Sequence, residues 1–215
     1  MTTYTIKPNE LEAVALGASN EEVRYYMCGV LFEQYPDGKT ALITTDGQRL
    51  MSVHAQQASV PDNRFILANA DVKKVLAIAK GDKAPNRTRA DKQRIVITAG
   101  ENCELAVSVV WLDVDGEVFK TVGSFTTSAI DGNFPDWRRV MPSPDLKAVA
   151  PSSIGFNGAY MADFAKASKL LSNGNKSCLV GITITSAGGP ILIEIPENDV
   201  NNTFEFMGVL IPHRI

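Results

Sequence analysis

Thr44-Thr45-Asp46-Gly47-Gln48-Arg49-Leu50 reads as a strand end, a tight turn and a strand start. Ala41-Leu42-Ile43 before it is an apolar β-type run, Asp46-Gly47 is a turn dipeptide, and Leu50-Met51-Ser52-Val53 resumes the strand. Upstream, Pro36-Asp37-Gly38 supplies a second turn, so residues 25–34, 40–45 and 49–55 read as three consecutive strands. Residues 3–6 alternate like a short strand. A helix then starts at Pro8-Asn9, with Asn9 as its cap and Glu12 three residues on, and with Leu11, Val14, Ala15 and Ala18 on one face. The unit is β-α-β-β-β.

The same pattern recurs twice. In the second copy, a strand at 64–67 precedes a helix at 71–80 with Val72, Val75, Leu76 and Ala79 on one face. Strands at 94–98, 103–112 and 118–130 follow, then an irregular connector to Pro142. A Pro/Ser-rich linker, 143–153, leads to the third copy. There Ile154-Gly155-Phe156 is extended, Asn157 caps a helix over 160–171, and strands at 178–185, 191–195 and 203–211 complete the unit. The expected fold class is α+β. Residues 1–142 form one complete domain of two units, and 154–215 form a half-domain.

Composition is that of an ordinary globular chain: 215 residues, 45% hydrophobic and 21% charged, with a net charge of −3. Nothing global signals nucleic acid, although an acidic protein can carry a basic inner wall. Cys28, Cys103 and Cys178 are odd in number and far apart, and are expected to be buried, reduced thiols in a cytoplasmic protein. No signal peptide and no apolar run near the roughly 20 residues of a membrane span is expected. Catalysis has no residue set behind it. The chain has two histidines, His54 and His213, and no phosphate loop, His-Glu-x-x-His or Cys-x-x-Cys. Asp113-Val114-Asp115-Gly116 is half a calcium loop at best and reads as a hairpin turn. No cofactor or metal is expected.

Four segments in this order resemble the bacterial DNA polymerase III β subunit, the β sliding clamp. They are Val23-Arg24-Tyr25-Tyr26-Met27-Cys28-Gly29-Val30-Leu31-Phe32-Glu33, the Thr44–Leu50 stretch, Phe134-Pro135-Asp136-Trp137-Arg138-Arg139-Val140-Met141-Pro142, and Val209-Leu210-Ile211-Pro212-His213-Arg214-Ile215. Residues 1–142 resemble that family's middle domain, and 154–215 the second half of its last domain. The resemblance implies the DNA clamp fold, a non-enzymatic processivity role, and a pocket for short linear motifs (typically Gln, then Leu and Phe) from a polymerase, a clamp loader or other proteins. Carried over by position, the pocket takes Met27, Thr45, Gly47, Gln48, Arg49 and Leu50, then Pro135, Arg139 and Val140. Val209, Leu210, Ile211, Pro212, His213, Arg214 and Ile215 complete it. Gln48 and His213 depart from the family's usual His and Met. Taken singly, Leu50, Val140, Val209 and Ile211 read better as core than as pocket; it is the set in this order that points to the pocket. Arg49 and Arg139 are expected at the rim, facing carbonyls or a carboxylate.

The resemblance also implies non-specific contact with double-stranded DNA through Arg24, Tyr25 and Tyr26, with one of the two tyrosines expected in the core. Lys73, Lys80, Lys166 and Lys169 are expected on pore-side helices. Residues 73–94 hold eight basic side chains against two acidic ones, while the first helix carries only Glu10 and Glu12. Three units are an odd number. The unpaired half is expected to meet its own kind in a dimer, and four chains would supply the twelve units of a ring. The alternative is an adaptor or competitor, of phage or plasmid type, that binds the same motifs without encircling DNA.

Overall fold

The structure is a computed structural model that describes residues 1–54, 61–82, 92–142, 154–172, 179–184, 189–195 and 206–212. The first unit holds β1 (Thr2–Ile6), α1 (Pro8–Ala15), β2 (Gly29–Gln34), β3 (Thr40–Thr45) and β4 (Arg49–Val53). The second holds β5 (Asn63–Ala68), α2 (Asn69–Gly81), β6 (Gln93–Ala99), β7 (Glu104–Leu112) and β8 (Val118–Ser128). The third holds α3 (Gly158–Leu171), β9 (Gly181–Ile184), β10 (Ile191–Ile195) and β11 (Phe206–Leu210). Mixed sheets and helices of this kind make an α+β fold. No helix among the described residues is long and apolar enough to cross a membrane.

The leading strand of each of the first two units pairs with the other unit's sheet. β1 lies antiparallel to β6, from Thr2↔Ala99 to Ile6↔Ile95, and β5 lies antiparallel to β2, from Gly29↔Ala68 to Gln34↔Asn63. This exchange gives one four-stranded sheet, β1-β6-β7-β8. The other sheet runs β5-β2-β3-β4-β11-β10-β9, because the third unit docks its last strand on β4. Three helices cover one face, with α1 contacting both α2 and α3.

The long sheet is buried on both faces where β2–β5 and β11 meet, so its strands read as continuous apolar runs. Val30, Phe32, Leu42, Met51, Val53, Phe65, Leu67 and Leu210 face the helices and join the main core. Their neighbours Leu31, Ile43, Leu50, Ile66 and Val209 face the other way, under Phe134 and Trp137 of the connector. Period-two alternation therefore assigns each strand residue to one of two cores.

Local chemistry corrects three expectations. The first helix starts at Pro8, with Lys7 before it, and the Lys7 amide donates to Glu10 Oε2 at 2.9 Å. Asn9 is thus inside the helix rather than its cap: proline is well suited to the first helical position because it has no N–H to satisfy. The expected strand at 25–34 begins only at Gly29, because Glu22–Met27 forms a 3-10 turn. Cys103 is exposed in a left-handed turn with Asn102 (φ 63° and 55°), so β7 begins at Glu104 and this thiol is not buried. Cys28 is half-buried, and its thiol donates to Glu21 O at 3.2 Å. Cys178 and the 143–153 linker lie outside the described residues.

Candidate functional site

The turn between β3 and β4 organises the site. Gly47 sits at φ 90°, a conformation that side chains with a Cβ rarely adopt. Asp46 Oδ1 accepts from the amides of Gln48 and Arg49 at 2.9 and 3.0 Å, a side-chain replacement for turn hydrogen bonds. Thr45 Oγ1 closes the turn by donating to Arg49 O at 2.7 Å and accepting from Gly47 N at 3.1 Å. On the other side Gln48 O accepts from Ile211 N at 2.9 Å, which fixes the chain leaving β11 beside the turn.

These contacts leave a cavity of about 140 Å³ on the sheet face opposite the helices. Met27, Thr45, Gly47, Arg49 and Leu50 line it from the first unit, Pro135, Asp136, Trp137 and Val140 from the connector, and Val209 and Ile211 from beyond the seam. Nine residues that sequence reasoning grouped thus share one cavity. Asp136 and Trp137 were missed as lining residues, although both stand inside the quoted Phe134–Pro142 segment. Leu210 is turned to the helix-facing core, because Val209 holds the cavity face and neighbours in a strand alternate. Gln48, Arg139 and Pro212 do not line the cavity: Gln48 and Arg139 are exposed and Pro212 is half-buried. His213, Arg214 and Ile215 lie outside the described residues.

Arg49 lines the cavity and also acts as a clasp. It is 9% exposed. Its Nε donates to Asp46 Oδ2 at 3.0 Å, one terminal nitrogen to Asp163 Oδ2 at 2.6 Å, and the other to Leu16 O at 2.9 Å. The guanidinium also stacks 4.4 Å from the Tyr160 ring centroid. Asp163 and Tyr160 are on α3, so this side chain ties the first unit to the third. These three bonds occupy three of its five N–H donors, so much of its hydrogen-bonding capacity at the cavity goes to the protein itself.

The roof is held by the arginine beside the cavity. Arg138 forks onto the buried Glu33 (Oε1 3.3 Å, Oε2 2.8 Å) and onto the Tyr35 hydroxyl, and its guanidinium lies 4.3 Å from the Trp137 ring. Tyr35 also donates to Glu33 Oε2 at 2.9 Å. Burial, with the Glu33 charge beside it, pushes the Tyr35 phenol well above its ordinary pKa. Burial alone would lower the Arg138 pKa, but the hydrogen bonds and charge of Glu33 raise it above its ordinary value. The Trp137 indole N–H is buried and has no partner among the described residues.

The residues expected at DNA divide in the same way. Tyr25 is 52% exposed and its hydroxyl donates to Asp131 O at 3.1 Å, whereas Tyr26 packs against the connector core. Arg24 is half-exposed and 3.9 Å from Glu21. Lys73, Lys166 and Lys169 are exposed on α2 and α3. Lys80 is paired with Glu12 Oε1 at 2.8 Å, so one of the two acidic residues of α1 is neutralised by its neighbour. The other, Glu10, is 6% exposed. Burial raises its pKa, but hydrogen bonds from His54 and the Lys7 amide outweigh this and hold it below 4.5. No group of three or more His, Cys, Asp or Glu placed to hold a metal occurs among the described residues.

No protein-family model matches the chain. The chain is similar to the β sliding clamp of Vibrio cholerae, 31% identical over 140 residues, which is 65% of this chain and 32% of that protein. It is also similar to those of Salmonella typhimurium (27% over 137 residues, 63% and 31%) and Escherichia coli (28% over 138 residues, 63% and 31%). The match thus spans about a third of the length of these relatives, at 31–32%. A sliding clamp from Bartonella birtlesii, solved with griselimycin bound, superposes with a TM-score of 0.66 at 18% identity, over 99% of this chain and 66% of that one. The Bacillus subtilis clamp gives 0.64 at 14% identity, over 100% and 64%. At these identities the structures establish the fold.

Proposed function

We propose that this chain, which has the DNA clamp fold and is similar in sequence to the bacterial β sliding clamp, is a clamp-like processivity factor. In this reading it encircles double-stranded DNA as a homo-oligomer in the cytoplasm and tethers a polymerase or another partner through the cavity at the β4–β11 seam. The observation that carries the reading is the cavity itself. It is apolar, it is built jointly by the first unit, the connector and the third unit, and it takes in most of the positions that the resemblance implies. An apolar slot of this kind gains about 1.5–3 kcal/mol for each Leu or Phe side chain it fully buries. Residues 1–142 then act as one domain and 154–215 as a half-domain bearing the far wall. Phosphate contact falls to Arg24, Tyr25, Lys73, Lys166 and Lys169, which are exposed and need read no sequence.

Titration of a fluorescent peptide ending in Gln-x-x-Leu-Phe tests the pocket. Val140 is 41% exposed on the cavity wall, so Val140→Asp leaves the fold intact and should weaken binding about tenfold or more. Unchanged affinity removes the pocket from the proposal.

A further inference from the structure

The first two units complete each other by exchanging strands, and among the described residues the third unit's place for the same exchange is unfilled. β2 and β6 are the strands that follow the helices of their units. Each takes on its outer side the strand that precedes the other unit's helix, β5 and β1 respectively. β9 holds the same place in the third unit, yet it is the terminal strand of the seven-stranded sheet. The segment that precedes α3, Ile154-Gly155-Phe156, makes a single bridge at Gly155 rather than a ladder.

Burial follows the same pattern. Two residues before each helix stand Ile6, Leu67 and Phe156. Ile6 is 4% exposed and Leu67 0%, because their strands are exchanged, while Phe156 is 40% exposed. Beside this edge, Leu179 is 54% and Ile182 47% exposed. An open edge flanked by apolar side chains is a template for another strand.

We infer that two copies of this chain pair through their third units, each laying Ile154–Phe156 antiparallel on the β9 edge of the other. The occupant is a second copy because the slot takes a strand that precedes a helix in a partner unit, and the chain's remaining strand of that kind belongs to the third unit itself. Exchange about a two-fold axis fills both slots at once and repeats, between chains, the interlock that residues 1–128 make within one chain. The contact is remote from the cavity in the sheet order, since β10 and β11 stand between β9 and the seam. It deepens the proposed homo-oligomer by naming one of its contacts, and it is independent of peptide binding at the cavity.

Light scattering over a concentration series tests it, with the chain at 23.3 kDa per copy. The chain should approach twice that mass as concentration rises. Phe156→Asp and Ile182→Lys replace exposed side chains, so each variant should keep its thermal transition. Each is counted twice in a two-fold contact and should raise the dimer dissociation constant about a hundredfold. Peptide affinity at the cavity should not change in either. A monomer at every concentration overturns the inference. A dimer that resists both substitutions also overturns it, as does one broken by Ile182→Lys alone, which would mean β9 pairing with β9.

Discussion

Arg49 shows what a single side chain does here. Its guanidinium holds Asp46, Asp163 and Leu16 O within 3.0 Å, so Arg49→Ala leaves Asp46 (side chain 18% exposed) and the partly exposed Asp163 without their cation. Stability to urea should fall by about 2–4 kcal/mol, and Arg49→Lys should recover little of it, because an ammonium cannot reproduce the fork. A loss below half a kcal/mol would mean the clasp carries no net energy. Glu10 gives a pH prediction. Its folded pKa is depressed, so its contribution is fully present above its ordinary 4.5 and is lost as pH falls through the lower folded value. Urea midpoints should therefore drop more between pH 5 and 3 in the wild type than in His54→Ala, and equal slopes would refute the pairing. Trp137→Phe keeps the ring but removes the unpartnered indole N–H. Peptide affinity should fall about three- to tenfold if that group donates to the bound chain, with the thermal midpoint nearly unchanged. The Asp46-Gly47 turn was legible because its chemistry spans a few residues. The role of Arg49 was not, because Asp163 is 114 positions away.

Among the elements, the seam between β4 and β11 decides whether the third unit is attached. Five residue pairs, from Phe206↔Val53 to Leu210↔Arg49, join it. At its centre Gly208 leaves no room: a Cβ there would lie 2.4 Å from Phe164 Cε1 and 3.1 Å from Leu50 O. Gly208→Val should push β11 and α3 apart. Hydrogen exchange should then show β9–β11 amides losing protection while those of β6–β8 keep theirs, and uniform loss would mean the seam is not a separate unit of stability. Most elements were readable from periodicity and turn residues. The 3-10 turn over Glu22–Met27 was not. Tyr25-Tyr26-Met27 has strand propensity, but Tyr26 is needed against the connector and Met27 in the cavity, and tertiary packing overrides propensity.

For the molecule as a whole, the charge distribution sets the expected behaviour on DNA. In the proposed reading, a net charge of −3 makes free binding weak and strongly dependent on salt, whereas a closed ring would be held by topology rather than affinity. After loading, the protein should stay on nicked circular DNA and leave once the circle is cut. Equal retention on linear DNA would refute encirclement. Replacing Lys73, Lys166 and Lys169 together by Ala should flatten the salt dependence of the residual contact.

The chain's own order of residues determined most of its elements, its two tight turns and the capped start of α3 at Asn157. Each of these depends on contacts within a few positions or on the period of a strand or helix. Only the tertiary structure decided that β1 and β5 change places, that Leu210 faces the helices while Val209 faces the cavity, and that Arg49 reaches across to α3. Those outcomes depend on which strand edges meet across long separations. A strand's hydrogen-bonding edge is the same whatever its side chains, so the choice of partner is made by the packing of the whole.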